Sequence, residues 1–213
     1  MMMKRLLLLL WLGFCIATAD AGYEYADRVI SNGEYVLGLD WLSGVLVIDG
    51  GGADVIEVRD SARIEVWSTS APLGTDIGGI MDLAITNTSH LDYYGGLMQE
   101  LTVQKNATAQ LRGGRIDGIT SMQFVEWVDG EPTGQHILIY AKDGWEWQYE
   151  NGKIKGITGL WSDDGSRFDI RFINHPDFDS AWSNIKVVPE PATLLLFGAG
   201  GICLFRRRCR RSR

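Results

Sequence analysis

Between its two ends, the 213-residue chain contains no cysteine. The only three, Cys15, Cys203 and Cys209, lie near the termini. The body therefore has no disulfide framework, and must hold itself together by burial and hydrogen bonding. Roughly 165 residues are enough for one sizeable core. Proline is scarce, at five residues, and helix start and stop signals are almost absent. His90, His136 and His175 are far apart and share no metal-ligand spacing. No Ser/His/Asp arrangement, P-loop or dinucleotide fingerprint occurs. These absences exclude a disulfide scaffold, a zinc module and a nucleotide-dependent enzyme, and the expectation is of no catalytic residue, no metal and no cofactor. The stretch GGGADVIEV resembles the calcium-binding nonapeptide, but Ala53 stands where the third glycine belongs and Asp54 comes one place early.

Basic residues are also few away from the ends. The full chain has 20 basic and 27 acidic residues, net −7. Without Lys4, Arg5, Asp20, Glu190 and the six arginines after Phe205, the body keeps 12 basic and 25 acidic residues, net −13. Such a charge argues against nucleic acid or anionic lipid as a partner and suits a solvated extracellular protein.

What the ends do contain is instructive. MMMKRLLLLLWLGFCIATADAG has a basic start, an apolar run from Leu6 to Ile16 and small residues in A-x-A spacing. It reads as a secretory signal cleaved after Ala19 or Ala21. A lipoprotein signal ending at Cys15 is the rival reading, although Phe14 sits where such signals need a small residue. At the other end stand Pro189-Glu190-Pro191, a 14-residue uncharged stretch from Ala192 to Phe205, and Arg206, Arg207, Arg208, Arg210, Arg211 and Arg213. A stable span wants about 20 apolar residues. The stretch is thus a marginal membrane stop, with its arginines on the cytoplasmic side.

That order of three features resembles the PEP-CTERM sorting signal of Gram-negative bacteria. The resemblance covers residues 188–213 alone. It implies recognition by a membrane-embedded exosortase, with cleavage at or near Pro-Glu-Pro after transient insertion through 192–205. It further implies a cell-surface or extracellular destination, and an association with extracellular polysaccharide and biofilm material. An ordinary tail anchor is the alternative.

The middle of the chain repeats. In LVIDGGGADVIEV (46–58), LDYYGGLMQELTV (91–103) and AQLRGGRIDGITS (109–121), Gly-Gly holds the same two places. The steps Leu46 to Ile64, Leu83 to Leu101, Leu91 to Ala109 and Leu101 to Ile119 are each 18 residues; Ile56 to Leu83 is 27, through an insertion of nine within STSAPLGTDIGG (68–79). Two short alternating runs per 18 residues predict a parallel β-solenoid. Leu46, Ile48, Ile56, Val58, Ile64, Val66, Leu83, Ile85, Leu91, Tyr93, Leu101, Val103, Ala109 and Leu111 should point inward. Glycines turn one corner; Asp60-Ser61, Asn87-Thr88 and Lys105-Asn106 turn the other. An antiparallel sandwich is the competing fold.

From Met122 on, short β runs alternate with Asp-Gly and Asn-Gly pairs, which predict hairpins. The expected fold is mainly β: a short parallel β-helix with a C-terminal antiparallel cap, flanked by a signal helix and a hydrophobic sorting helix. The expected layout is signal peptide 1–21, N-terminal cap and solenoid 22–121, β-rich cap or small domain 122–187, and sorting signal 188–213.

Stacking the coils, across the nine-residue insertion, sets outward-facing Glu65 over Asp92, an acidic pair read mainly as two solvated surface carboxylates. In the next outward column it sets Asp49, Trp67, Tyr94 and Arg112 in file. Trp67, Tyr94 and Arg112 would make a strip able to stack on sugar rings, unless the insertion folds over Trp67 and buries it. The expected role is structural or adhesive, in an exported envelope protein linked to extracellular polysaccharide. A carbohydrate-binding module is the second reading, and a polysaccharide lyase or hydrolase the third.

Overall fold

A computed structural model of the protein describes residues 23–70 and 79–189. The expected signal and sorting helices, and 71–78 of the insertion, lie outside the described residues. Within them the chain is mainly β, and its one helical element is a 3-10 turn, Ala181–Asn184. Nine strands come first: β1 (Arg28–Ser31), β2 (Tyr35–Trp41), β3 (Val45–Val58), β4 (Arg63–Thr69), β5 (Ile80–Ile85), β6 (His90–Tyr93), β7 (Leu97–Gln104), β8 (Thr108–Leu111) and β9 (Arg115–Met122). Seven follow: β10 (Glu126–Val128), β11 (Glu131–Thr133), β12 (Ile137–Ala141), β13 (Glu146–Glu150), β14 (Lys153–Leu160), β15 (Arg167–Asn174) and β16 (Ile185–Pro189).

The repeat strands pair in parallel, and the chain passes back and forth between two ladders. In the first, Leu46, Ile64, Leu91 and Ala109 are register neighbours through β3, β4, β6 and β8. In the second, Ile56, Leu83, Leu101 and Ile119 are neighbours through β3, β5, β7 and β9. The 18-residue steps therefore join adjacent strands, and so does the 27-residue step from Ile56 to Leu83. The fourteen positions expected inside are at most 1% exposed, and the buried side chains of both ladders form one apolar cluster. Each such side chain contributes about 1.5–3 kcal/mol by leaving water, which accounts for a fold without disulfides.

β3 belongs to both ladders. Its first half pairs with β1 and β4, and its second half with β2 and β5. Gly50-Gly51-Gly52 carries it round the corner. A Cβ on Gly51 would stand 2.5 Å from Ile30 Cγ2, and one on Gly52 2.7 Å from the Gly79 carbonyl, so the crowding demands glycine. The opposite corner is polar and left-handed: Asp60 has φ 54°, Asn87 64° and Lys105 55°. Their side chains bond in file, Asn87 Nδ2 to Asp60 Oδ1 at 2.8 Å and Lys105 Nζ to Asn87 Oδ1 at 2.7 Å. Asparagine and aspartate tolerate this conformation; lysine does so at a cost.

The hairpins expected after Met122 are present, as β10–β11 and as the antiparallel run β13–β14–β15. The parallel ladders also run on past Ser121. β12 and β16 extend the first, through Ala109, Ile137 and Ile185, while β15 pairs in parallel with β9 and extends the second. Trp161 is fully buried there and donates its indole N–H to the Gly114 carbonyl at 2.8 Å. This ties the C-terminal part to a repeat corner.

Candidate functional site

The outward face of the first ladder carries most of the chemistry singled out in the sequence. Alternation along β4 turns Arg63 and Glu65 outward, and along β6 His90 and Asp92. Register makes Glu65 the direct neighbour of Asp92, and Arg63 that of His90. The stacked pair is real, but its environment differs from the solvated one expected. Glu65 and Asp92 are each only 4% exposed. Arg63 covers them, its Nη2 standing 3.0 Å from Glu65 Oε1 and 2.7 Å from Asp92 Oδ2. From the N-terminal side, Tyr25 donates its hydroxyl to Glu65 Oε2 at 2.6 Å. The Trp67 indole N–H donates to the same oxygen at 3.3 Å, and His90 Nε2 lies 3.2 Å from Asp92 Oδ2. Two buried carboxylates this close repel each other unless donors surround them. Here they do.

The protonation behaviour follows. Burial pushes the Asp92 carboxyl up, but the His90 and Arg63 side chains outweigh it and hold the group below the usual carboxylate range. Burial lowers the Arg63 guanidinium, and its bonding to Asp92 with the nearby charge of Glu65 more than offsets that, so it is raised. The Tyr25 hydroxyl, bonded to Glu65, is pushed up to about 12. On its other side, His90 Nδ1 is within hydrogen-bond reach of the Thr108 hydroxyl, 2.7 Å away.

The aromatic file also forms. Trp67 and Tyr94 stack with centroids 4.0 Å apart and planes 11° from parallel. Trp67 is 40% exposed. Arg112 follows just after β8 and lies over the Tyr140 ring, 3.9 Å from its centroid. Tyr23 stands 6.5 Å from Trp67 on its far side. The stack takes up one face of each ring.

Asp49 does not join this file. A β-bulge makes Trp67 the extra residue, so Asp49 pairs with Ser68 and accepts its hydroxyl at 2.7 Å. One carboxylate pair escaped the sequence reading. Asp82 and Glu100 are register neighbours on the outward face of the second ladder, and burial together with Glu100 raises the Asp82 carboxyl. Their spacing is the same 18 residues that separate Leu83 from Leu101, so the repeat already implied the pair.

His90, His136 and His175 are not brought together, and no metal-sized group of ligands occurs among the described residues. Ala19, Ala21, Glu190, Pro191, Arg206, Arg207 and Arg208 lie outside those residues. Pro189 lies inside them, as the last residue of β16, paired with Ala141. The expected sorting motif thus starts on the final strand of the first ladder.

Residues 187–211 match the family model of the PEP-CTERM protein-sorting motif. The chain carries a PEP-CTERM sorting signal. Such a signal marks an exported protein, recognised by the membrane protease exosortase and sorted to the cell envelope or surface. The match begins at Val187, so the PEP-CTERM motif overlaps β16. No curated protein and no solved structure matches the chain.

Proposed function

We propose that the protein is a non-enzymatic surface component, processed by exosortase, whose body serves a structural or adhesive role linked to extracellular polysaccharide. The observation that carries this reading is the PEP-CTERM motif joined to the last strand of an acidic, cysteine-free β body. The two parallel ladders are read as faces of a short parallel β-helix, with 122–187 as its C-terminal cap. Ladders of this kind are rigid, regular spacers. A structural rather than catalytic use is supported by the acid pair, whose Glu65 and Asp92 oxygens already hold Arg63, Tyr25, Trp67 and His90. Mass spectrometry of the mature protein from its host tests the processing. Termini just after Ala19 or Ala21 and at or near Pro-Glu-Pro are expected; a product retaining its arginines would instead show a tail anchor.

A second reading, supported by the exposure of Trp67, makes Trp67, Tyr94 and Arg112 a sugar-contacting strip. Loss of glycan retention in Trp67→Ala is the result that would favour it.

A further inference from the structure

The body's few cations are unevenly placed. Of its twelve lysines and arginines, five (Arg115, Lys153, Lys155, Arg167 and Arg171) border three hollows along β9, β13, β14 and β15. The middle hollow, about 450 Å³, has Lys155 and Arg171 in its wall. It shares Asp169 with a hollow of about 220 Å³ beside Arg115 and Arg167, and Tyr149 with one of about 410 Å³ beside Lys153. Each outer hollow thus adjoins the middle one through a shared wall residue. They run across four neighbouring strands, roughly 14 Å at the usual strand spacing.

Period-two alternation builds the track. In β15, Phe168, Ile170 and Phe172 enter the core, which leaves Arg167, Asp169 and Arg171 on the outer face. The register neighbours of Arg171 are Gly118 and Gly156, over which the side chains of Ile173 and Gln148 reach. Elsewhere the arginines are committed: Arg28 to Glu34, Arg59 to Glu57, Arg63 to Asp92 and Arg112 to Gln110. Along the track Arg115 pairs with Asp117, whereas Lys153, Lys155, Arg167 and Arg171 make no side-chain ion pair or hydrogen bond among the described residues. Three carboxylates, Asp117, Glu150 and Asp169, face the same hollow, along with Gln148 and the 66% exposed Tyr149. Five cations against these three acids make the track locally positive within a body that is net −13.

We propose that this track binds an acidic polysaccharide, a linear chain of sugar acids. The proposal rests on the polysaccharide-linked reading above and moves the contact from the Trp67 strip to the second ladder. Unpaired guanidinium and ammonium groups supply donors for sugar carboxylates. The interspersed carboxylates and Gln148 accept from sugar hydroxyls, and Tyr149 offers an open ring. This mixture disfavours DNA, which presents a charge about every 1.7 Å along its axis. Its phosphates would meet Asp117, Glu150 and Asp169 with no hydroxyls between.

The test uses processed protein from the host and measures binding to polygalacturonate, to dextran, to duplex DNA and to the host's own matrix polysaccharide. Polygalacturonate should bind in a salt-sensitive manner and dextran should not. Lys155→Gln with Arg171→Gln should weaken polygalacturonate binding about tenfold or more, as expected for lost charge-assisted contacts. Lys142→Gln with Lys186→Gln, an equal loss of charge elsewhere, should leave it unchanged. All four side chains lie at the surface, and circular dichroism verifies folding. Equal weakening by both double variants, or tighter binding to DNA, overturns the proposal. Matrix binding that Lys155→Gln with Arg171→Gln leaves intact overturns the track but keeps the reading. Absence of binding to both polyuronate and matrix overturns the polysaccharide link itself.

Discussion

Asp92 lies directly beside Glu65 in the neighbouring parallel strand, and a single guanidinium nitrogen of Arg63 reaches both carboxylates. The two acids are buried and the cation is half exposed, so the network depends on one side chain at its rim. Arg63→Ala should lower stability by about 2 kcal/mol. That is below the ~3–5 kcal/mol of a fully buried pair, because solvent already screens part of the attraction. Arg63→Lys should recover only part of the loss, since it cannot bond Asp92 through two nitrogens. Urea unfolding midpoints give both values; no change for Arg63→Ala would mean the carboxylates find other partners.

The acid side of the stability profile should carry the mark of Asp92. Its carboxyl is held below its ordinary value in the fold. The associated stability is present above the unfolded value, about 4, and is lost as pH falls through the folded one. Asp92→Asn should therefore be less stable than wild type at neutral pH, with the gap narrowing below about pH 4. A gap constant from neutral to strongly acid pH would contradict the ion network.

On the alkaline side the sign reverses. The hydrogen bond to Glu65 raises the Tyr25 hydroxyl to about 12. Its contribution is complete below the unfolded value near 10 and fades as pH rises through 12. An ultraviolet titration should show a late-ionising tyrosine that vanishes in Tyr25→Phe. Tyr35, which burial and Asp54 push up to about 12, should persist in that variant.

The corners predict opposite effects. Gly96 sits at φ 96°, and an added Cβ would meet the Thr69 nitrogen at 2.7 Å, so Gly96→Ala should cost well over 1 kcal/mol. Lys105 holds φ 55° without being glycine or asparagine. Lys105→Asn should raise stability by up to about 1 kcal/mol, despite losing the exposed bond to Asn87. Thermal midpoints decide both.

Much of this architecture was legible because one inward column repeats at fixed spacing. Leu83 and Leu101 announced their adjacency through the 18-residue interval, and Asn87 and Lys105 their shared corner. Asp49 was misplaced because a bulge adds a residue at Trp67, and a bulge leaves no trace in apolar periodicity. The burial of Glu65 and Asp92 was invisible for a different reason: Tyr25, forty positions from Glu65, supplies part of the cover. The continuation through β12, β15 and β16 was hidden by unequal intervals, since Ala109 to Ile137 is 28 residues and Ile137 to Ile185 is 48. The cationic track needed three-dimensional proximity, as Arg115 and Arg171 stand 56 positions apart in the chain.

Pro189 closes β16, and only Glu190 and Pro191 separate it from the uncharged stretch that opens at Ala192. Even fully stretched, that link reaches about 11 Å. The proposed cut in that link would trim the polypeptide close to its own final strand, leaving little loose thread. Under the cleavage proposed above, exosortase would work close to the end of β16, and the turn at Lys142-Asp143-Gly144, which follows the Ala141 partner of Pro189, would be part of the contour beside it.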